Sequence, residues 1–158
     1  GSGTLLSSAL EAQKILANKY DVGADIWSVT SYQQLYRNAR SVERENRLHP
    51  SAKEKVSNLH SYLAKTKGPI VSTCDWAQEL PSMLGRFMPR RFVPLGTSGF
   101  GRSDTREALR QHFEVDATHV VLATLYALMQ DGEIEASVVE GALTSFGVEA
   151  DKLDPILA

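Results

Sequence analysis

Three short runs rich in β-branched and aromatic side chains, separated by residues of helical period, restrict this chain more than anything else in it. The first is Ala24-Asp25-Ile26-Trp27-Ser28-Val29-Thr30, the second Pro69-Ile70-Val71-Ser72-Thr73-Cys74 and the third Arg91-Phe92-Val93-Pro94-Leu95. Each reads as a strand, and Pro94 suggests the end of the third. Before the first run, Leu6, Leu10, Ile15 and Leu16 recur at helical spacing over residues 4–19, with Thr4 or Ser7 as caps. Ser31 is the expected N-cap of a helix to Arg47, which Pro50 forces the chain to leave. A polar helix over residues 52–65 follows, with Val56, Leu59 and Leu63 on one face. Asp75 is placed to cap a short helix through Leu84, disturbed by Pro81. Helices over residues 104–112, 117–130 and 135–146 close the chain.

Strands alternating with helices predict an α/β fold: one three-layer domain over residues 1–158, with a mainly parallel sheet flanked by helices. Its length suits one domain with a core of its own. Three strands are few for so much helix, so strands of the sheet are expected to be missing. Another polypeptide would then supply them, or the sheet would carry an open slot.

Charge excludes some functions. With 17 basic against 19 acidic residues, the net charge of −2 exerts no general pull on nucleic acid or an anionic membrane. No run is long and apolar enough to span a bilayer, and the first residues do not read as a signal peptide. The single cysteine, Cys74, excludes an internal disulfide and suits a cytoplasmic protein with a buried, inert thiol.

The loop after the third run is the principal candidate site. It comprises Gly96, Thr97, Ser98, Gly99, Phe100, Gly101, Arg102, Ser103 and Asp104. Ligands of open α/β sheets gather at this end of the strands, and exposed amides at a helix start attract anions. The order Gly-x-x-Gly-x-Gly is not the dinucleotide fingerprint, and no Lys-Ser or Lys-Thr makes it a nucleotide P-loop. A structural or interface loop is the competing reading. Asp104 and Glu107 have capping-box spacing, and Ser103 is the other candidate cap.

Arg37, Arg40, Arg44 and Arg47 share one helix face, interleaved with Glu43 and Glu45. They read as a solvated or subunit-facing stripe with weak local ion pairs; no aromatic ladder marks a nucleic-acid surface. His49, His60, His112 and His119 form no recognised metal spacing. His119 reads as a hydrogen-bonded or boundary side chain, and no Gly-x-Ser-x-Gly elbow supports serine chemistry.

The stretch Val93-Pro94-Leu95-Gly96-Thr97-Ser98-Gly99-Phe100-Gly101-Arg102-Ser103-Asp104-Thr105-Arg106-Glu107-Ala108-Leu109-Arg110, with His112-Phe113-Glu114-Val115-Asp116-Ala117, resembles the homodimeric type of pyruvate dehydrogenase. Residues 25–31, the segment ending Leu48-His49-Pro50 and the tail Ala150-Asp151-Lys152-Leu153-Asp154-Pro155 are similar to the same family. Ser98 departs from it, since members often carry Asp there. The resemblance is to the C-terminal domain of a longer, transketolase-like enzyme, in which two strands precede the turn that Gly1-Ser2-Gly3-Thr4-Leu5-Leu6 resembles, so it implies that the first strands of the sheet are the missing ones. It implies a parent that decarboxylates pyruvate with thiamine diphosphate and magnesium and passes the acetyl group to a lipoyl acetyltransferase. The cofactor motif and catalytic histidines of the family lie upstream, so no catalytic, cofactor-binding or metal residue is carried onto this chain. The domain itself is expected to bind no cofactor, to be inactive alone and to serve assembly. Its partners would be the remaining domains, the homodimer mate and the acetyltransferase. The alternatives are a non-catalytic interaction module of the same fold, or a domain of another transketolase-like 2-oxo acid dehydrogenase.

Overall fold

The computed structural model describes residues 1–158. A 3-10 turn, Gly3–Leu5, leads into α1 (Leu6–Tyr20), followed by α2 (Tyr32–Leu48), α3 (Asn58–Leu63), β1 (Ile70–Ala77), α4 (Glu79–Ser82), β2 (Phe92–Thr97), α5 (Arg106–His112), α6 (Ala117–Gln130) and α7 (Ala136–Phe146). β1 and β2 run parallel, with Ile70 beside Phe92 and Thr73 beside Leu95. The register then shifts, so that Ala77 sits beside Thr97.

Alternate side chains of this small sheet enter two cores, which gives the three-layer α/β arrangement. On one face Val71 and Leu95 pack with Leu16, Val120, Val121 and Leu125, joining the sheet to α1, α6 and α7. On the other, Ile70 and Cys74 meet Tyr32, Ala39, Leu59, Leu63, Leu84 and Phe87 around α2 and α3. Pro94 does not end β2. The Ile70 amide donates to the Arg91 carbonyl, so by parallel alternation the nitrogens of residues 93 and 95 face β1 and that of Pro94 faces the outer edge. A missing N–H costs nothing there.

Three other expectations are corrected. Residues 24–30 form no strand. Val22, Ala24 and Ile26 alternate as half-buried with exposed Gly23, Asp25 and Trp27, yet the only backbone-to-backbone bonds made by residues 24–30 to another segment are those of Trp27 and Val29 with Gly1. A strand requires a neighbour along its length, and here that neighbour is a single residue. The expected helix over residues 52–65 shrinks to α3. Asn46 grips the Lys55 backbone through both its amide nitrogen and oxygen, each at 2.9 Å, which holds residues 53–57 out of helix. Val56 is left 64% exposed, and Ser57 becomes the cap by accepting from the His60 amide. Asp75 caps no following helix. It lies within β1, where its carboxylate accepts from the Thr4 amide at 3.2 Å and hydroxyl at 3.4 Å, tying the first turn to the sheet.

Candidate functional site

The glycine-rich loop leaves β2 and reaches α5. Its first two residues, Gly96 and Thr97, belong to β2. Gln78 brackets them: its amide donates to the Thr97 carbonyl at 3.1 Å, its side-chain nitrogen to the Pro94 carbonyl at 2.9 Å, and its side-chain oxygen accepts from Ser98 at 2.8 Å. The backbones are so close that a Cβ on Gly96 would lie 2.7 Å from Gln78 Cα and 2.9 Å from the Trp76 carbonyl. Gly99 has φ +78°, and a Cβ there would lie 2.7 Å from the Pro155 carbonyl. The loop is thus closed on one side by the 3-10 turn Pro155–Leu157, which Asp154 caps through the Ile156 amide. Two of the three glycines serve backbone approach within the chain; a Cβ on Gly101 would meet nothing within 4 Å.

The helix start is settled by neither expected cap. Thr105 accepts from the Ala108 amide at 3.2 Å, while Asp104 accepts only from the adjoining Thr105 amide. Gly101, Arg102, Ser103 and Asp104 are exposed. So is Phe100, at 86%, and Trp76 on the neighbouring bulge of β1, at 72%. Beside the loop is a cavity of about 390 Å³ lined by Gln78, Ser98, Glu114, Lys152 and Asp154. Lys152 is committed to the fold: its ammonium donates to the carbonyls of Gln111 and His112 at the end of α5, at 3.2 and 2.8 Å, and pairs with Glu114. Cations are favoured at that helix end. Gln78 and Lys152 organise this region through long-range contacts that carry no local sequence signal.

His112 ends α5 with its Nε2 shielded and unpartnered, although the residue as a whole is only half-buried. Loss of hydration, then the charges of Arg102 and Lys152, hold its pKa below the ordinary histidine value. Asp116 caps α6, accepting from the His119 amide at 2.9 Å and meeting its Nδ1 at 2.7 Å. Burial works to raise this carboxyl, but the hydrogen bonds from His119 and the Thr118 amide outweigh it, and its pKa is lowered. Cys74 is 1% exposed, and its sulfur accepts from the Trp76 amide. No three of the His, Cys, Asp and Glu side chains gather as metal ligands do.

Arg37, Arg40, Arg44 and Arg47 lie exposed along α2 as expected, but the expected local ion pairs are absent. Glu43 pairs with Arg86, and Glu45 with Lys55 and His49. The four stripe arginines make no ion pair, and Arg40 lies over the Tyr36 ring. The structure does not bring the stripe and the loop together: the stripe belongs to α2, in the layer around Tyr32 and Ala39, and the loop joins β2 to α5. No helix is long and apolar enough to cross a membrane.

Residues 1–116 match the family model described as the transketolase-like TK C-terminal domain. The chain is 43% identical to the pyruvate dehydrogenase E1 component of Pseudomonas aeruginosa over 99% of its length. It is 43% identical to that of Escherichia coli over 100%, and 40% identical to that of Mycolicibacterium smegmatis over 94%. In each case it spans less than a fifth of the relative: 18% of the first two and 16% of the third.

Proposed function

We infer that this chain, which belongs to the transketolase-like C-terminal domain family, is the assembly domain of a cytoplasmic pyruvate dehydrogenase and carries none of its catalytic groups. The observation behind this reading is similarity to the E1 components along the whole of this chain, combined with a loop whose Gly96 and Gly99 pack against the chain's own backbone. The donor set does not fit a diphosphate–magnesium group. Asp and Glu do not cluster as ligands, Gly96 and Gly99 are packed against Gln78 and Pro155, and Thr105 occupies the start of α5. Thiamine diphosphate and magnesium would therefore be held by other domains of the parent, and the chemistry on pyruvate with acetyl transfer to a lipoyl acetyltransferase would run there.

The surface that would serve assembly is the exposed rim of the loop, with Phe100 and Arg102 at its tip and Trp76 beside it. Exposed aromatic and arginine side chains are the types enriched at protein interfaces. The arginine stripe of α2, which makes no ion pair within the chain, is a second candidate for contact with the homodimer mate or the remaining domains.

The test is a chimera in which the matching segment of the E. coli protein is replaced by this chain. Retained pyruvate decarboxylation and homodimer formation support the reading. A chimera that is soluble and dimeric yet inactive on pyruvate would contradict it. Calorimetry on the chain alone should show no binding of thiamine diphosphate with magnesium; micromolar binding would overturn the non-catalytic assignment.

A further inference from the structure

Arg37, Arg40, Arg44 and Arg47 form a line of charge along α2 that nothing in the chain neutralises. Each residue of a helix turns about 100° and rises about 1.5 Å, so the four fall within about 80° of arc along about 15 Å. All four are exposed, and none joins an ion pair. Successive arginines stand three, four and three residues apart, the spacings at which like charges on a helix repel. Opposite charge is at hand but is used elsewhere. Glu43 lies three residues after Arg40 and four before Arg47, yet its carboxylate goes to Arg86 of the 3-10 turn Gly85–Phe87. Glu45 goes to Lys55 at 3.1 Å and His49 at 3.9 Å. These are the only acids of α2, and cations from outside the stripe occupy both. The face is left to weaken its own helix, and an anionic partner would reverse that effect.

The shape of the stripe narrows the partner. Around the helix, Glu43 lies about 40° beyond Arg47 and Glu45 about 80° beyond Arg37, and both side chains are 42% exposed. A broad anionic surface such as a membrane or a nucleic-acid duplex would rest on these carboxylates as well as on the arginines. A single acidic segment would not. The three-four-three spacing is that of one helix seam facing another, so a second helix with Asp or Glu at matching positions meets all four guanidinium groups. Guanidinium forks pair well with carboxylates. Leu48, 52% exposed, adds one apolar contact at the end of the face. A copy of this domain does not suit the stripe. Its exposed Glu133, Glu135 and Glu140 lie at or before α7, whose Val138, Val139 and Leu143 pack in the core around Leu16 and Leu125. The stripe belongs to the layer on the other side of the sheet. Contact between patches in opposite layers runs head to tail and does not close into a dimer.

We propose that the arginine stripe of α2 docks an acidic α-helix of another polypeptide, with Asp or Glu at three- and four-residue spacing opposite Arg37, Arg40, Arg44 and Arg47. This rests on the assembly-domain reading above, and it gives the partner's chemistry for one of the two surfaces named there. Charge complementarity sets the affinity, and the spacing of the carboxylates sets the selectivity.

The probe is a synthetic alanine-based helical peptide of about 15 residues carrying Glu at the three-four-three spacing. A control peptide holds the same Glu residues spread around the helix. Binding to the whole chain is read by fluorescence anisotropy at low salt, where surface charges are least screened. The matched peptide should bind at least about tenfold tighter than the control, and Arg40→Gln/Arg44→Gln should abolish that margin. Arg37→Gln/Arg47→Gln repeats the test at the ends of the stripe. Lys14→Gln/Lys65→Gln removes the same charge from exposed lysines outside it and should keep the margin. Equal Cm in urea for variants and parent shows that lost binding is not lost fold. Equal affinity for the two peptides, or a margin that survives both arginine pairs, would overturn the proposal. So would tighter binding of a single-stranded oligonucleotide or of phosphatidylglycerol vesicles than of the matched peptide. Self-association of the chain that the arginine variants abolish would overturn it too, since a second copy would then be the occupant. The two readings fail separately: an active chimera without peptide selectivity sinks the stripe and leaves the domain assignment standing. Peptide selectivity with an inactive chimera does the reverse.

Discussion

Adding one methyl group at each glycine of the loop separates a packing role from a ligand-cradling one. In Gly96→Ala the new Cβ would stand 2.7 Å from Gln78 Cα, 2.8 Å from its nitrogen and 2.9 Å from the Trp76 carbonyl. All three are backbone atoms, so no rotamer change relieves the clash, and β1 and β2 must separate locally. Overpacking of this kind costs about 1–3 kcal/mol. For a chain of this size each kcal/mol lowers Tm by about 2–4 °C, so a mid-range cost of about 2 kcal/mol predicts a fall of about 4–8 °C. Gly99→Ala adds the left-handed penalty of about 1–2 kcal/mol at φ +78° to a contact with the Pro155 carbonyl. Moving the last turn of the chain can ease that contact. Gly101→Ala meets nothing within 4 Å, and its stability should stay within about 0.5 kcal/mol of the parent. Urea denaturation gives the order through Cm, with unchanged m confirming that the unfolding transition is the same one. Gly96→Ala and Gly101→Ala unfolding at the same Cm would refute the packing account.

The caps and the core give three further expected outcomes. Asp116→Ala should cost about 1 kcal/mol through loss of the α6 cap. Because the Asp116 pKa is lowered in the fold, its contribution is present above the unfolded carboxylate value and lost as pH falls through the folded one; urea melts at descending acid pH should show a shallower loss in Asp116→Asn than in the parent. His112, also lowered, has the sign of a group that the folded state protonates less readily than the unfolded one. Its stability contribution is full above the unfolded histidine value of about 6.5 and declines as pH drops below it toward the folded value, so His112→Gln should flatten Cm between neutral pH and pH about 5, and an unchanged slope would contradict the burial argument. Leu125→Ala, at a side chain with no exposure between α1 and the sheet, should lose about 2–5 kcal/mol in the same melts.

Features decided by neighbouring residues were legible in the linear chain. Ser31 caps α2 as read, accepting from the Gln34 amide at 3.2 Å, because the cap and its partner are three residues apart. The spans of α6 and α7 come from apolar period and local stop signals. The family likeness was legible for a similar reason, since the stretches that carry it, Val93 to Arg110 and His112 to Ala117 among them, are linear strings. The purpose of the loop did not show there: Gly96 is small because Gln78 crosses it, and Gly99 because Pro155 does.

Two misreadings have one physical cause. Asp75 has the composition of a cap for a helix just after it, yet its partner, Thr4, lies 71 residues away. The Asn46 side chain likewise outcompetes helix at Lys55 from nine residues upstream. Local propensity is worth fractions of a kcal/mol per residue, and a well-placed long-range hydrogen bond or packing contact exceeds it.

The sequence by itself determined the α/β class, the helix frame and the family likeness. Only the tertiary structure decided that residues 24–30 form no strand, their backbone meeting that of another segment at Gly1 alone. Strand propensity belongs to a residue and its immediate neighbours, whereas a sheet is a set of hydrogen bonds between segments. Whether residues 24–30 pair depends on what lies about one strand spacing away.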